Sequence, residues 1–145
     1  MKKSINNASE LQEILDRFGK LTHETKGLWG KMNVRQMLRH VSDAANFAFE
    51  SPNPEAKRKS FMLWMILNIP APKNVKTYPD LNMVNKGIDP VEFENERQRV
   101  KDLFTKISSS GGPFQVNPFL GKLSKSEWGR LCFIHANHHL KQFGV

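Results

Sequence analysis

The sequence predicts an all-α fold, a four-helix bundle in one domain that spans residues 1–145. Three observations favour it. Apolar residues recur at steps of three and four in four separate segments, which is the spacing of one helix face. Each segment begins with a residue that can cap a helix, and no segment alternates apolar and polar residues as a strand does. A chain of 145 residues can also bury one core without disulfide bonds.

The first helix is predicted to begin after Asn7 and to end at Gly19. Asn7 can cap it, and Glu10 stands three residues later, as in a capping box. Its apolar stripe consists of Leu11, Ile14, Leu15 and Phe18.

The second helix is predicted to follow a connector over residues 20–32 and to run from Asn33 toward Glu50. Asn33 and Gln36 have the spacing of a capping box, and two prolines, Pro52 and Pro54, end the helix. One side carries Val34, Met37, His40, Ala44, Phe47 and Ala48. His40 is therefore expected to face the core.

A long Pro-rich crossover over residues 51–88 separates helices two and three. Its prolines are Pro52, Pro54, Pro70, Pro72 and Pro79. Loops longer than about 12–15 residues are uncommon unless they have a function. We therefore expect the crossover to cover one end of the bundle and to roof a cleft.

A short apolar helix is expected over residues 61–67, in the middle of this crossover. It is far shorter than the roughly 20 residues of a membrane span. Lys57, Arg58 and Lys59 precede it, so it could lie on a membrane surface. We favour a short buried helix or a subunit contact, and the second of these would make a homodimer.

The third long helix is predicted to begin at Asp89 and Pro90, because Asp is a cap and Pro suits the first helical position. Residues 108–112, which are Ser and Gly, end it. Its apolar residues are Phe93, Val100, Leu103, Phe104 and Ile107.

The last helix is predicted to begin at Ser124, where Glu127 can complete a capping box. The residues at steps of three and four are then Trp128, Cys132, His135, His139 and Gln142. This stripe is directed toward the core, and His138 falls to one side of it.

Histidines are concentrated in this helix, because three of the chain's five lie between residues 135 and 139. His135 and His139 are one helical turn apart, with Cβ atoms roughly 5–6 Å from each other, so they can share one metal ion. His40 is the candidate third ligand, since a chain of this length has one core. The alternative is that these histidines only pack and form hydrogen bonds.

The formal charge of +8 raises the question of nucleic acid. Nucleic-acid binders usually concentrate Lys and Arg on one face, whereas the 22 basic residues here are spread from Lys2 to Lys141. No zinc-finger cysteine pairs, aromatic RNA-binding motif or Gly-rich phosphate loop occurs. We therefore expect no nucleic-acid partner and interpret the charge as solubility and attraction for anionic small molecules.

Cys132 is the single cysteine, so it cannot form an internal disulfide. Its place on the apolar stripe predicts a small buried thiol rather than a nucleophile. Met1, Lys2 and Lys3 lead into polar residues rather than into the apolar run of a signal peptide. Together these features favour a cytoplasmic protein.

Several stretches carry a resemblance to a known family. They are WGKMNVRQMLRH at 29–40, PAPKN at 70–74, GKLSKSEW at 121–128 and HANHHLKQFG at 135–144. Through them the sequence resembles the DinB/YfiT-like superfamily, and within it a branch of uncharacterised bacterial proteins. The resemblance covers most of the chain.

The resemblance implies a DinB-like four-helix bundle that binds a divalent metal, zinc or nickel, through His40, His135 and His139. It also implies a Gln at position 142. Relatives in this branch tend to have a His where Asn117 stands, so the resemblance does not imply a ligand or proton-donor role for that position. The residues expected around the ligands or in the cleft are Trp29, Asn117, His138 and Gln142.

The expected function follows from this site. Three neutral imidazoles leave a fourth metal position open, as in catalytic zinc sites. Such a metal can lower the pKa of bound water to about 7 or bind a thiolate. Characterised members of the superfamily resemble thiol S-transferases that use low-molecular-weight thiols other than glutathione, or related metal-dependent enzymes.

We therefore expect a thiol S-transferase or hydrolase that acts on a small molecule, with an anionic low-molecular-weight thiol as the candidate substrate. The sequence places no carboxylate general base near the ligands, so the catalytic groups beyond the metal are unknown. The alternative is a non-catalytic metal-binding or ligand-binding module.

Overall fold

A computed structural model describes residues 2–73 and 88–145. Within these ranges the chain forms five helices and no strand, which confirms the all-α prediction. They are α1 (Ala8–Gly19), α2 (Val34–Asn46), α3 (Ser60–Asn68), α4 (Pro90–Ser109) and α5 (Lys125–Gln142). The four longer ones are the predicted helices, and α3 is the short apolar helix of the crossover. Asn74 and Pro79, which entered the sequence predictions, lie outside the described residues.

Both helices that carry the histidines begin with the predicted capping box. In α2 the Asn33 side chain accepts from the Gln36 amide at 2.8 Å, and the Gln36 side-chain oxygen accepts from the Asn33 amide at 2.9 Å. In α5 the same pair of bonds joins Ser124 and Glu127. Each box satisfies two of the amides that a helix start leaves free, so both starts are determined locally.

The start of α1 departs from the prediction. Asn7 caps the helix, but the Glu10 carboxylate accepts from the Ser4 amide at 2.8 Å instead of completing a capping box. The reason lies in the preceding residues, where Ile5 is fully buried and its amide donates to the Gly129 carbonyl at 3.1 Å. A Cβ at Gly129 would overlap the Asn6 side chain, so a glycine is needed where this segment crosses α5.

The end of α2 is also earlier than expected, at Asn46 rather than near Glu50. The next amides, those of Ala48 and Phe49, bond to carbonyls three residues back, which tightens the chain into a turn. The Ala48 carbonyl accepts from the Gln115 amide at 2.8 Å. The segment before α5 therefore meets the end of α2.

The core lies between the four long helices. On α4 the predicted residues Phe93, Val100, Phe104 and Ile107 are buried, and Leu103 is half-buried. Phe104 meets Phe18 of α1 edge-on, with ring centroids 5.9 Å apart. At the rim of the α2–α4 contact, Arg99 pairs with Asp43 at 2.7 Å. Since α5 contacts each of the other four helices, residues on its inner face lie at the centre of the fold.

Of the two interpretations of the crossover helix, burial holds for only one face of α3, and the subunit contact stays a prediction. Leu63 and Leu67 are buried, whereas Phe61 and Trp64 are exposed. Arg130 of α5 donates to the Leu67 carbonyl at 2.6 Å, which attaches the end of α3 to the bundle. Of the helices described, none has both the length and the apolar character to cross a membrane.

Candidate metal centre

Ring nitrogens of three histidines converge between α2 and α5. The Nε2 atom of His135 lies 2.8 Å from Nε2 of His40 and 3.2 Å from Nε2 of His139. One donor atom from each of the three lies within 4.8 Å of the other two. The ring planes are inclined to one another by 74–84°, so the three imidazoles approach from different directions. These three residues can hold a metal ion.

Helix geometry accounts for two of the three positions, and packing for the third. His135 and His139 are four residues apart in α5, which places them one turn apart on one face. His40 is brought to them because α2 packs against α5. Met37 and Val41, which flank His40 along α2, are both buried and hold this side of the helix in the core.

Gln142 determines the tautomer of His139. Its side-chain amide donates to the Trp29 carbonyl at 3.0 Å, so its oxygen faces Nδ1 of His139 at 2.8 Å. An amide oxygen can only accept, and therefore Nδ1 carries the proton and Nε2 keeps its lone pair. A hydrogen bond of this kind on the second ring nitrogen is typical of metal-ligating histidines.

The contacts at His135 fit a cation between the rings. A neutral imidazole nitrogen either donates or accepts. Nε2 of His135 lies within hydrogen-bonding distance of two nitrogens, Nε2 of His40 and Nε2 of His139, and the second of these carries no proton to donate. In a tetrahedral zinc site, with bonds of about 2.0–2.1 Å, two nitrogens lie roughly 3.3 Å apart. The distances from His135 to His40 and to His139 are therefore close to those of a ligand set, and all three donor atoms lie within 4.8 Å of one another.

Burial keeps these imidazoles neutral. Desolvation lowers the pKa of His139, whose side chain is 4 % exposed, to about 3, against the opposing hydrogen bond from Gln142. Burial and the neighbouring imidazoles lower the pKa of His135 well below its ordinary value. Burial also lowers the pKa of His40, although Asp43 opposes the shift. Neutral imidazole is the form that binds a metal.

Gly30 is a site residue that the sequence did not reveal. Its φ of +82° favours glycine, and a Cβ at this position would overlap the Gln142 amide nitrogen. Next to it, the Leu28 amide donates to the Gln142 carbonyl at 2.7 Å. The connector before α2 thus holds the last turn of α5. The available sequence signal was a glycine in a loop, which predicts only a turn.

His138, Trp29 and Lys73 lie together beside the histidines. The half-buried His138 ring is 5.0 Å from the His139 ring and 6.2 Å from the Trp29 ring, between centroids. The Lys73 ammonium lies 5.1 Å above the Trp29 ring. His138 does not belong to the group of converging donor atoms. Lys73 of the crossover and Trp29 of the connector are therefore in contact next to the three histidines. The sequence analysis did not predict a role for Lys73.

Asn117, the other residue expected in the cleft, has a place in a turn before α5. Its side-chain oxygen accepts from the amides of Phe119 and Leu120 at 2.9 and 3.0 Å, and its backbone pairs with Gly121. Between Ser124 and His135 lie eleven residue steps, about 16 Å along a helix. These contacts place Asn117 near the start of α5, and its role in the cleft stays a prediction.

Two other ionisable groups of α5, the Glu127 carboxyl and the Cys132 thiol, have structural roles. The Arg58 guanidinium, which bonds both oxygens of Glu127 at 2.6 and 3.0 Å, lowers the pKa of that carboxyl to about 2. Glu127 also completes the cap, so it is not available as a general base. Burial raises the pKa of the Cys132 thiol to about 12, which keeps it protonated as expected of a buried core thiol.

These features place the protein in the class of helical proteins with a three-histidine candidate metal centre. The chain belongs to the family described as "Protein of unknown function (DUF1569)", whose match covers residues 2–144. No curated protein and no solved structure matches the sequence.

Proposed function

We propose that this protein is a divalent-metal-dependent enzyme of the DinB-like type that acts on a small anionic substrate, as a thiol S-transferase or a hydrolase. The observation that carries the proposal is the convergence of three neutral imidazole nitrogens from His40, His135 and His139. The combination of one histidine from α2 with a pair from the last helix is the one that the DinB-like resemblance implies.

The donor set favours zinc or nickel, because imidazole suits these ions and three neutral ligands leave the full charge of the ion in place. A divalent ion bound by these residues would lower the pKa of a coordinated water or thiol. The chain supplies orientation of the ligands. Gln142 holds His139 with Nε2 inward, and the Trp29 carbonyl in turn holds Gln142.

Thiol transfer is the reaction that the surrounding residues favour. The Lys73 ammonium over the Trp29 ring brings a positive charge to the side of the site, and the chain as a whole carries +8. Both attract an anionic substrate. Glu127 is bound to Arg58, so the carboxylate nearest in sequence before His135 is unsuited to activate water.

Hydrolysis is a second candidate because of His138. Burial lowers the pKa of this half-buried imidazole, so it is a neutral proton acceptor at neutral pH. It lies beside the His139 ring without belonging to the donor group. In a hydrolase His138 would accept a proton from the attacking water.

The first test is elemental analysis of protein purified without chelator and without a histidine tag. We expect about one equivalent of a divalent metal in the natural sequence, and most of it lost in His40→Ala, His135→Ala or His139→Ala. His23→Ala is the matched control, because His23 is exposed and outside the donor group. Absence of metal, together with no uptake of added zinc or nickel, would leave the histidines with a structural role only.

The second test separates an enzyme from a binding module. Metal-loaded protein is titrated calorimetrically with anionic low-molecular-weight thiols, in parallel with His40→Ala and Lys73→Gln. We expect His40→Ala to lose thiol binding and Lys73→Gln to weaken it. Equal binding by the natural protein and His40→Ala would remove the metal from the mechanism. Turnover of a bound thiol with an electrophilic acceptor then distinguishes transfer from binding alone.

A further inference from the structure

The short helix α3 has an apolar face that the described part of the protein leaves uncovered. Leu63 and Leu67 are buried against the bundle. On the other side, Phe61 is 73 % exposed and Trp64 is 56 % exposed, and their rings stack with centroids 6.3 Å apart. The exposed large apolar residues of α3 and its C-terminal cap are Phe61, Met62, Trp64 and Ile69.

Helical spacing places the two exposed rings on one face. Residues 61 and 64 are three positions apart, and the buried residues 63 and 67 lie on a different face. A helix that is apolar all round is normally buried on all sides. Here only part of it is buried, so the exposed part has no apolar cover among the described residues.

The charged residues next to α3 in the sequence are basic, and one of them, Arg58, pairs with Glu127 of α5. No Asp or Glu occurs between residues 56 and 73. Lys57 and Lys59 are exposed directly before the helix, and neither takes part in the ion pairs of the described residues. At the other end, the Lys2 ammonium donates to the Asn68 side chain. Lysines therefore stand at both ends of the apolar face.

We infer that α3 docks the protein on the surface of an anionic lipid bilayer, with Phe61 and Trp64 among the headgroups and Lys57 and Lys59 against the phosphates. Exposed Trp and Phe flanked by Lys are typical of helices that lie in a membrane interface. The inference does not depend on the metal centre.

A second copy of this chain is a poorer occupant of the same face. In a two-fold interface each patch meets itself, so the lysines at both ends of α3 would approach lysines of the partner. Anionic headgroups instead neutralise them. Each Lys near such a surface adds roughly a fivefold gain in partitioning.

The test is cosedimentation with vesicles of phosphatidylcholine alone and of equal parts phosphatidylcholine and phosphatidylglycerol. We expect binding to the anionic vesicles, weakened by salt, and at least about tenfold weaker binding to the neutral ones. Phe61→Ser/Trp64→Ser should reduce binding by at least about tenfold, because the apolar contribution is lost. Lys57→Gln/Lys59→Gln should reduce it roughly thirtyfold.

Two control variants remove the same kinds of side chain at positions outside α3. Leu28→Ser/Val91→Ser alters two apolar residues that are 70 % and 67 % exposed, and Lys20→Gln/Lys26→Gln alters two exposed lysines. Both controls should bind as the natural protein does, and circular dichroism should show that all variants are folded. No binding to anionic vesicles, or undiminished binding by Phe61→Ser/Trp64→Ser, overturns the inference. A dimer in sedimentation equilibrium that this variant dissociates would assign the face to a second copy.

Discussion

Gly30 approaches the Gln142 side-chain amide so closely that a Cβ atom at position 30 would overlap the amide nitrogen. The same amide donates to the Trp29 carbonyl, and its oxygen holds Nδ1 of His139. A loop glycine thus determines the direction of an imidazole lone pair at the candidate metal centre.

Gly30→Ala should therefore weaken metal binding. The new Cβ displaces Gln142, and the loss of a hydrogen bond behind a metal ligand typically costs about 10–100-fold in affinity. The measurement is competition for zinc against a chromophoric chelator. Gly111→Ala is the control, because a Cβ at Gly111 has no neighbour within 4 Å. Equal affinity of Gly30→Ala and the natural protein would show that Gln142 does not position His139.

His138 and His139 should differ sharply in their effect on metal content. His139 directs Nε2 at the other two rings, whereas His138 lies to the side of them. His139→Ala should lose most of the metal, and His138→Ala should retain close to the natural amount. Elemental analysis of both variants measures this. Loss of metal in His138→Ala together with retention in His139→Ala would mean that the wrong histidine has been assigned as the ligand.

Stability of the metal-free protein should fall as the pH drops below about 6.5. Burial lowers the pKa of His139 to about 3, whereas the unfolded chain protonates this group near 6.5. Protons therefore bind the unfolded state preferentially between these values. His139 contributes stability that is complete above about pH 6.5 and is lost toward pH 3, by up to about 1.4 kcal/mol per pH unit.

Urea denaturation at several pH values measures this dependence. His139→Gln should flatten it, and His23→Gln should leave it unchanged, because His23 is exposed. A natural protein that is equally stable at pH 7 and pH 5 would contradict the neutral, buried state of the three rings.

The contribution of the Arg58–Glu127 ion pair to stability should change with pH in a more acidic range than that of His139. The pKa of Glu127 is lowered from 4.5 to about 2, first by the hydrogen bond from Arg58. Its contribution to stability is therefore present above about pH 4.5 and is lost as the pH falls toward 2. Glu127→Gln should lower the melting temperature at pH 7 and remove this pH dependence. Glu24→Gln, at an exposed loop position, should change neither quantity.

Ser124→Ala tests the start of the helix that carries the histidine pair. The Ser124 hydroxyl accepts from the Glu127 amide, and loss of such a cap costs about 1 kcal/mol. Chemical denaturation should show this decrease in the free energy of unfolding. An unchanged value would mean that the Arg58 contact alone holds the start of α5.

The sequence by itself determined the features that depend on neighbours along the chain. The caps at Asn33 and Ser124 are bonds over three residues, and the common face of His135 and His139 follows from helix geometry once the helix is placed. Each is a local interaction, so a pattern of residue types is enough to predict it.

Tertiary structure decided the features that join distant segments. The approach of His40 to His135 depends on how α2 packs on α5, and the role of Gly30 exists only because Gln142 lies against it. Glu10 does not form the predicted capping box, because the burial of Ile5 places the Ser4 amide within hydrogen-bonding distance of its carboxylate. The exposure of one side of α3 likewise depends on which surface the bundle offers. Contacts of this kind are chosen by packing of the whole core, and no local pattern encodes them.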